Sequence, residues 1–302
     1  MEKVELQIIN STRKYNISVI VSSDQRFDSV SKEYVGDYER VIPLIQVSKP
    51  FALFIKNDSD HDIVGISLRW KFLKSTGEVS EVPQIEVNPG ILIGLKPRDP
   101  SMIGKTSLIN RGSARFFSYF TVNIQQKIVL ANMRSRNPNV SYPNVIDITP
   151  QEISSINQQV TSQKEKLLES ISIITVSVDG VLFDDGTFVG KDENFFFDFM
   201  RGRIQARRDL LNQVEDARKA DQNDKEILSM LLPVIPETKR GLTLKSDDGS
   251  AGESFQSGYK ASLTSLRKEL MIRRSKMSDS LVLHGLQSTK LSNFITLRKL
   301  DD

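Results

Sequence analysis

The segment Ser172-Ile-Ile-Thr-Val-Ser-Val-Asp-Gly-Val-Leu-Phe-Asp-Asp-Gly-Thr-Phe-Val-Gly190 divides the chain into two parts of different character. Its first half is rich in β-branched side chains, which predicts a strand over 173–183. Asp184-Asp-Gly186 then predicts a tight turn into a short return strand. Upstream of this segment apolar residues mostly alternate with polar ones, whereas downstream they recur every three or four positions. We therefore predict an α+β protein in which the β region precedes a helical region.

Residues 1–40 predict a β-hairpin followed by a linker. Apolar residues alternate with polar ones over 4–8 and again over 15–21, and the polar segment 10–14 between them is typical of a turn. Residues 22–40 are mostly polar, which favours a linker.

Residues 41–191 predict an antiparallel β-sandwich. Short strand patterns recur between clusters of turn residues, for example over 51–56 and 63–73. In the second of these, side chains two positions apart share one face, so Trp70 is expected in the core.

An amphipathic helix near 150–171 and a helical region over 192–302 complete the predicted architecture. Thr149 and Glu152 have the spacing of a capping box, in which each residue satisfies a backbone N–H group at the start of a helix. Within the helical region, residues 238–258 are rich in Gly, Ser and charged side chains and predict a flexible loop.

The composition excludes several functional classes. The chain has no cysteine and only two histidines, which excludes disulfides, thiolate nucleophiles and multi-histidine metal sites. Its net charge of +3 is too small to imply a nucleic-acid partner, and no apolar run approaches the length of a transmembrane helix. The N-terminus lacks a signal-peptide core, so we expect a cytoplasmic protein as written, or a periplasmic or secreted one if a signal peptide was removed.

Val178-Asp-Gly-Val-Leu-Phe183 resembles the first motif of haloacid-dehalogenase phosphatases, in which an aspartate after an apolar strand attacks phosphorus. Ser177 stands where that nucleophile is required, so we interpret the Asp-Gly pair as a bulge in a strand. A carboxylate-dependent hydrolase with a site around Asp179, Asp184 and Asp185 is the alternative function.

The same acidic residues are candidates for a cation site, because Ca²⁺ is bound by several oxygen ligands. Their spacing matches no EF-hand loop, and turns or helix caps account for each of them. We therefore predict no cofactor and no catalytic residue, and we retain as metal-site candidates Asp179, Asp184, Asp185 and Asp192.

A group of arginines follows on the first helix of the C-terminal region. Acidic residues are interleaved with them, and no aromatic side chains alternate with them as stacking platforms for bases. We predict a solvated helix face, not a nucleic-acid surface, for Arg201, Arg203, Arg207 and Arg208.

Two segments resemble known proteins. Phe51-Ala-Leu-Phe-Ile-Lys-Asn-Asp-Ser-Asp-His-Asp-Ile63 resembles the opening of bacterial immunoglobulin-like domains. Val181-Leu-Phe-Asp-Asp-Gly-Thr-Phe-Val-Gly-Lys-Asp192 resembles a segment of uncharacterised bacterial proteins that closes a β-sandwich and leads into a helical tail. The resemblance covers about half of the chain and implies an immunoglobulin-like sandwich. It brings no assigned activity with it.

The absence of a complete catalytic constellation favours a non-enzymatic structural or protein-interaction module. Its partner would be another protein, or a second copy of the chain, bound at a sheet edge, at loops or on a helical face. The phenylalanine cluster at the start of the helical region is too apolar to be left in water, so we predict the interface between the sandwich and the helical region at Phe195, Phe196, Phe197 and Phe199.

Overall fold

The computed structural model describes residues 5–9, 13–36, 42–88, 107–120, 149–232, 251–287 and 296–300. These residues form two sheets and seven α-helices, most of which follow the β-rich part of the chain, so the predicted mixture of strands and helices is confirmed. The strands are β1 (Glu5–Ile9), β2 (Ile17–Val21), β3 (Ala52–Asn57), β4 (Ile63–Lys74), β5 (Val79–Val87), β6 (Ala114–Ser118), β7 (Ile171–Phe183), β8 (Thr187–Val189) and β9 (Arg298–Lys299). The helices are α1 (Phe27–Val35), α2 (Ile42–Val47), α3 (Pro150–Leu168), α4 (Phe196–Lys219), α5 (Asp224–Leu231), α6 (Ala251–Arg274) and α7 (Asp279–Gln287).

The larger sheet has six strands in the order β5-β4-β7-β8-β9, with β1 pairing to β7 off this path. The smaller sheet has three strands in the order β2-β3-β6, and both of its ladders are antiparallel. The larger sheet is mixed, because β1 runs parallel to β7 and β9 runs parallel to β8. The turn predicted at Asp184–Gly186 is confirmed, since β7 and β8 pair as antiparallel neighbours across it.

The chain divides into two compact units, and each takes several stretches of the sequence. The first consists of Met1–Asp62, Leu68–Gln84 and Ile109–Val178, and the second of Ile63–Ser67, Ile85–Leu108 and Asp179–Asp302.

Aromatic side chains fill much of the core of the first unit. The ring of Phe54 on β3 meets Phe27 and Tyr34 of α1 edge-on, with centroids 5.2 and 5.5 Å away. A neighbouring group of rings includes Phe51, whose ring centroid lies 4.7 Å from that of Phe120. Edge-to-face pairs of this kind add to the free energy gained by burying the apolar area.

Helix α3 begins as the sequence predicts. The Thr149 side chain accepts a hydrogen bond from the Glu152 backbone N–H, and the Glu152 carboxylate accepts one from the Thr149 N–H. Both groups would otherwise be unsatisfied donors of the first helical turn, so the capping box is confirmed.

The second unit is built around a close pair of helices, α4 and α6. A Cβ atom placed on Gly202 of α4 would lie 2.0 Å from the backbone oxygen of Phe255, and one on Gly258 of α6 would lie 2.0 Å from that of Phe199. Only glycine allows two backbones to approach so closely. Beyond this contact, apolar residues of α4, α5, α6 and α7 form a common core with Val214, Ile227, Leu266 and Leu283 among its members.

Three features of the N- and C-terminal parts differ from the sequence-based predictions. The predicted N-terminal hairpin does not form, because β1 pairs with β7 and β2 pairs with β3. The predicted linker over 22–40 contains helix α1, which buries Phe27 and Tyr34 on one face. Residues 251–258 of the predicted flexible loop are helical within α6, and 238–250 lie outside the described residues.

Within the described ranges, no helix is both long enough and apolar enough to cross a lipid bilayer.

Candidate functional site

The carboxylate of Asp179 fixes the loop between β8 and α4 in the second unit. Asp179 is 2% exposed, and its Oδ1 accepts a hydrogen bond from the Glu193 N–H at 2.9 Å. Its Oδ2 accepts from the Asn194 N–H at 3.0 Å and from the Ser67 hydroxyl at 3.2 Å. The Asn194 amide in turn donates to the Ser67 oxygen at 2.9 Å. A buried carboxylate satisfied in this way holds the loop between β8 and α4 against β7.

The same loop needs unusual backbone conformations. Gly190 has a φ of 120°, and a Cβ atom there would lie 2.5 Å from the Asp179 carbonyl oxygen. Asp192 and Phe195 have positive φ values of 59° and 52°, in the left-handed region that side chains other than glycine seldom occupy. Their conformation is stabilised by the bonds that the loop makes, including one from the Asp192 N–H to the Asp179 carbonyl at 2.9 Å.

Asp192 joins this loop to the C-terminal strand. Its Oδ1 accepts a hydrogen bond from the N–H of Phe197, the second residue of α4, at 3.0 Å, while the N-cap position itself is Phe195, which makes no side-chain capping bond. Its Oδ2 accepts from the Lys299 ammonium at 2.9 Å. Burial raises the pKa of Asp192 above its ordinary value, while the bonds from Lys299 and Phe197 act in the opposite direction.

Asp185 holds the turn between β7 and β8 and also contacts the C-terminal strand. Its two carboxylate oxygens accept from the backbone N–H and the hydroxyl of Thr187, each at 2.8 Å. The Arg298 guanidinium donates to the Asp185 Oδ2 at 2.9 Å. Asp184 lies half-buried beside it in the turn.

Strand β9 adds to the edge of β8 in parallel. The Arg298 N–H donates to the Gly186 carbonyl at 2.9 Å, and the Leu300 N–H donates to the Phe188 carbonyl at 3.0 Å. On the other face of β9, the Lys299 ammonium lies 5.7 Å from the centroid of the Phe188 ring. Leu297, two positions earlier, packs against the apolar cluster that contains Phe188. The edge of β8 therefore binds an extended segment with the pattern apolar-Arg-Lys.

Arg298 and Lys299 supply the basic side chains of this site. No sequence-based prediction named them. In Leu297-Arg-Lys-Leu300 two adjacent basic side chains lie between two apolar ones, so this segment lacks the alternation that would indicate a strand. The acidic partners of the two basic residues lie more than a hundred positions away, at Asp185 and Asp192. A pairing over this distance cannot be predicted from local spacing.

The four phenylalanines predicted as an interface occupy different environments. Phe196 is fully buried and Phe199 is 6% exposed, and both pack inside the second unit. Phe197 is half-buried, with its ring 5.5 Å from that of Phe188. Phe195 is 36% exposed. The interface at these positions stays a prediction, with Phe195 as its most accessible member.

The predicted acidic residues use their oxygens within the fold. Both carboxylate oxygens of Asp179 accept hydrogen bonds from the loop, and those of Asp185 and Asp192 accept from the chain's own N–H groups and basic side chains. The cation site proposed for these residues and Asp184 stays a prediction.

A groove between α2 and α3 in the first unit encloses about 520 Å³. Its wall combines apolar side chains such as Pro43 and Ile153 with polar ones such as Gln158 and Thr161. The side-chain oxygen of Asn157 in this wall is buried without a hydrogen-bond donor among the described residues. The wall offers one charged group, Glu165, so it is chemically less specific than the edge of β8.

Neither a protein-family model nor a curated protein nor a solved structure matches this chain.

Proposed function

We propose that the protein is a non-enzymatic protein-interaction module whose β8 edge binds an extended basic segment of a partner protein. The proposal rests on two ion pairs at this edge. Asp185 pairs with Arg298, and Asp192 pairs with Lys299. Addition of a strand to a sheet edge is a general mode of peptide recognition, in which backbone bonds give affinity and side-chain pockets give specificity. In this chain β9 is the intramolecular occupant.

The energetics of β9 favour exchange with a partner. Two backbone hydrogen bonds contribute about 1–3 kcal/mol in total, and the exposed pair between Arg298 and Asp185 contributes about 0–1 kcal/mol. The pair between Lys299 and Asp192 contributes more, because the Asp192 side chain is 2% exposed. Ordering each residue of the segment costs about 1–2 kcal/mol, so gains and costs are of similar size. A partner segment with the same pattern can therefore compete with β9.

The alternative of a carboxylate-dependent hydrolase receives no comparable support. A nucleophile or general base needs a carboxylate oxygen that can reach the substrate. Both oxygens of Asp179 accept hydrogen bonds from the neighbouring loop, and Asp179 itself is buried. Turnover of a phosphatase, esterase or glycosidase substrate that is lost in Asp179→Asn would nevertheless overturn the non-enzymatic proposal.

For residues 41–191 we keep the proposal of an immunoglobulin-like sandwich related to uncharacterised bacterial proteins with a helical tail. The antiparallel ladders β3-β6 and β7-β8, which lie within this range, support it. The proposed sandwich is antiparallel, so the parallel pairing of β1 with β7 would be an addition to it. An experimental structure in which β3 and β4 belong to two facing sheets would support this assignment, and one in which they do not would reject it.

Peptide binding to the full-length chain tests the proposed function. The double variant Arg298→Ser and Lys299→Ser should weaken the docking of β9 and leave the edge of β8 available. A fluorescent peptide containing Leu-Arg-Lys-Leu should then bind the variant at least ten times more tightly than the wild type, as measured by anisotropy.

A matched control removes two exposed basic residues of α4 that pair with acids on the same helix, Arg201 and Lys219. This control should bind the peptide no more tightly than the wild type. Equal affinity of the β9 variant and the wild type for the peptide would reject the β8 edge as the binding site. Loss of affinity when the Arg and Lys of the peptide are exchanged for Glu should accompany a positive result.

A further inference from the structure

Two arginines lie on the buried face of α4, one helical turn apart. Arg203 and Arg207 follow Phe199 on this face and precede Leu210, so they separate two groups of apolar side chains. Arg207 is 3% exposed, and Arg203 is partly exposed. The sequence predicts a solvated helix face for both, and for Arg207 that prediction is wrong. Arginine is almost never fully buried unless its charge is paired.

The described residues provide little compensation for these two charges. The Nε atoms of Arg203 and Arg207 are buried, and neither has a hydrogen-bond acceptor among the residues that the structure describes. Burial lowers the pKa of Arg203 to about 10, and no carboxylate among the described residues contributes to this shift. The ring of Phe199 lies 5.6 Å from the Arg203 guanidinium, which gives a weak cation–π contact without neutralising the charge.

The charges near Arg207 oppose one another. Burial lowers the pKa of Arg207 to about 10, Glu269 raises it and Arg273 lowers it. Glu269 is itself paired with Arg273, so its negative charge is already shared. Both Arg203 and Arg207 remain positively charged at neutral pH. Arg207 is therefore a buried cation, beside the partly exposed Arg203, without a full complement of acceptors. Such an arrangement is costly in a folded interior unless an anion joins the two charges.

We propose that Arg203 and Arg207 form a binding site for a small phosphate-type oxyanion, such as inorganic phosphate or a phosphate monoester. Side chains four positions apart on a helix are neighbours, so two planar guanidinium groups can converge on one tetrahedral group. Phosphate has enough acceptor oxygens for both guanidinium groups, whereas a carboxylate has only two oxygens. The burial of Arg207 limits the ligand to a group that enters the helical layer, and the partly exposed Arg203 marks the route of entry.

Thermal unfolding of the full-length chain in phosphate and in chloride of equal ionic strength tests the site. Phosphate at about ten times its Kd should raise the Tm of the wild type by about 2–3 °C relative to chloride. The variant Arg207→Met should lose this rise, and in chloride it should be at least as stable as the wild type, because it removes an uncompensated buried charge. A simple phosphate monoester such as glycerol phosphate distinguishes a free phosphate from an esterified one as the better ligand.

Two further variants make the result decisive. Arg203→Met changes a partly exposed side chain and should also lose the phosphate-dependent rise, even if Arg207→Met fails to fold. Arg201→Met, which removes an exposed arginine paired with Asp198 on the same helix, should keep the full rise. The proposal is overturned if the wild type shows no phosphate-specific rise or if Arg203→Met keeps it. It is also overturned if Arg207→Met is folded but less stable than the wild type in chloride.

Discussion

The exchange Asp179→Asn tests whether the buried carboxylate is structural. The carboxylate accepts three hydrogen bonds, from the N–H groups of Glu193 and Asn194 and from the Ser67 hydroxyl. Asparagine has nearly the same size, but an NH₂ group replaces one of the two carboxylate oxygens. This NH₂ group, itself a donor, would face another donor. A hydrogen bond to a charged group is worth about 1.5–3 kcal/mol, and an unsatisfied buried donor adds its own cost.

We therefore expect Asp179→Asn to lower the free energy of unfolding by about 2–4 kcal/mol. The measurement is urea unfolding followed by far-ultraviolet circular dichroism, which reports on the helices that follow the loop. Asp198→Asn is the matched control, because Asp198 pairs with an Arg201 side chain that is 55% exposed. This control should cost no more than about 1 kcal/mol. A loss below about 0.5 kcal/mol in Asp179→Asn would show that the loop does not depend on the carboxylate.

Three other changes have defined outcomes. Gly258→Ala should destabilise the chain by about 1–3 kcal/mol or more in urea unfolding, because the new Cβ would lie 2.0 Å from the Phe199 backbone oxygen. Lys299→Met should raise the pKa of Asp192 further, since it removes the partner that lowers this value, and carboxyl NMR titration measures the change. Thr149→Ala should cost about 1 kcal/mol in the same unfolding assay, because it removes the N-terminal cap of α3.

The first of these outcomes has a matched control, and the second has a defined sign. Gly252→Ala, at an exposed position of the same helix as Gly258, should not destabilise the chain. For Asp192, a native pKa above the ordinary 3.8 means that the folded chain keeps a proton which the unfolded chain has released. The contribution of this group to stability therefore decreases as the pH rises from 3.8 through the native pKa. An Asp192 pKa that falls in Lys299→Met would contradict the ion pair.

Elements with a strong local signal are predictable from the sequence. The Asp-Asp-Gly186 turn and the capping box at Thr149 each depend on residues within four positions, and both are confirmed. Helix α4 has a regular apolar period over 24 residues, so its existence is predictable, although the burial of Arg207 within it is not.

Features that depend on distant partners are not predictable in this way. The alternation in β1 indicates a strand, but its partner β7 lies more than 160 positions along the chain, so adjacency wrongly favours a hairpin. Similarly, Asp-rich turns suggest a metal site or a hydrolase, whereas the cations that satisfy Asp185 and Asp192 come from β9. Helical spacing alone cannot show that Arg207 faces the interior. A charged side chain is assigned to the solvent face of a helix even where its spacing places it near the apolar face.

A double-mutant cycle between the peptide and the chain tests the β8 edge most directly. In the Arg298→Ser and Lys299→Ser background, the peptide arginine is changed to Ser, Asp185 is changed to Asn, and both changes are combined. If the peptide arginine occupies the place of Arg298, the two changes should couple by about 0.5–1 kcal/mol in calorimetric affinities. Additive losses, with no coupling, would show that the peptide does not bind at Asp185 and would contradict the proposed function.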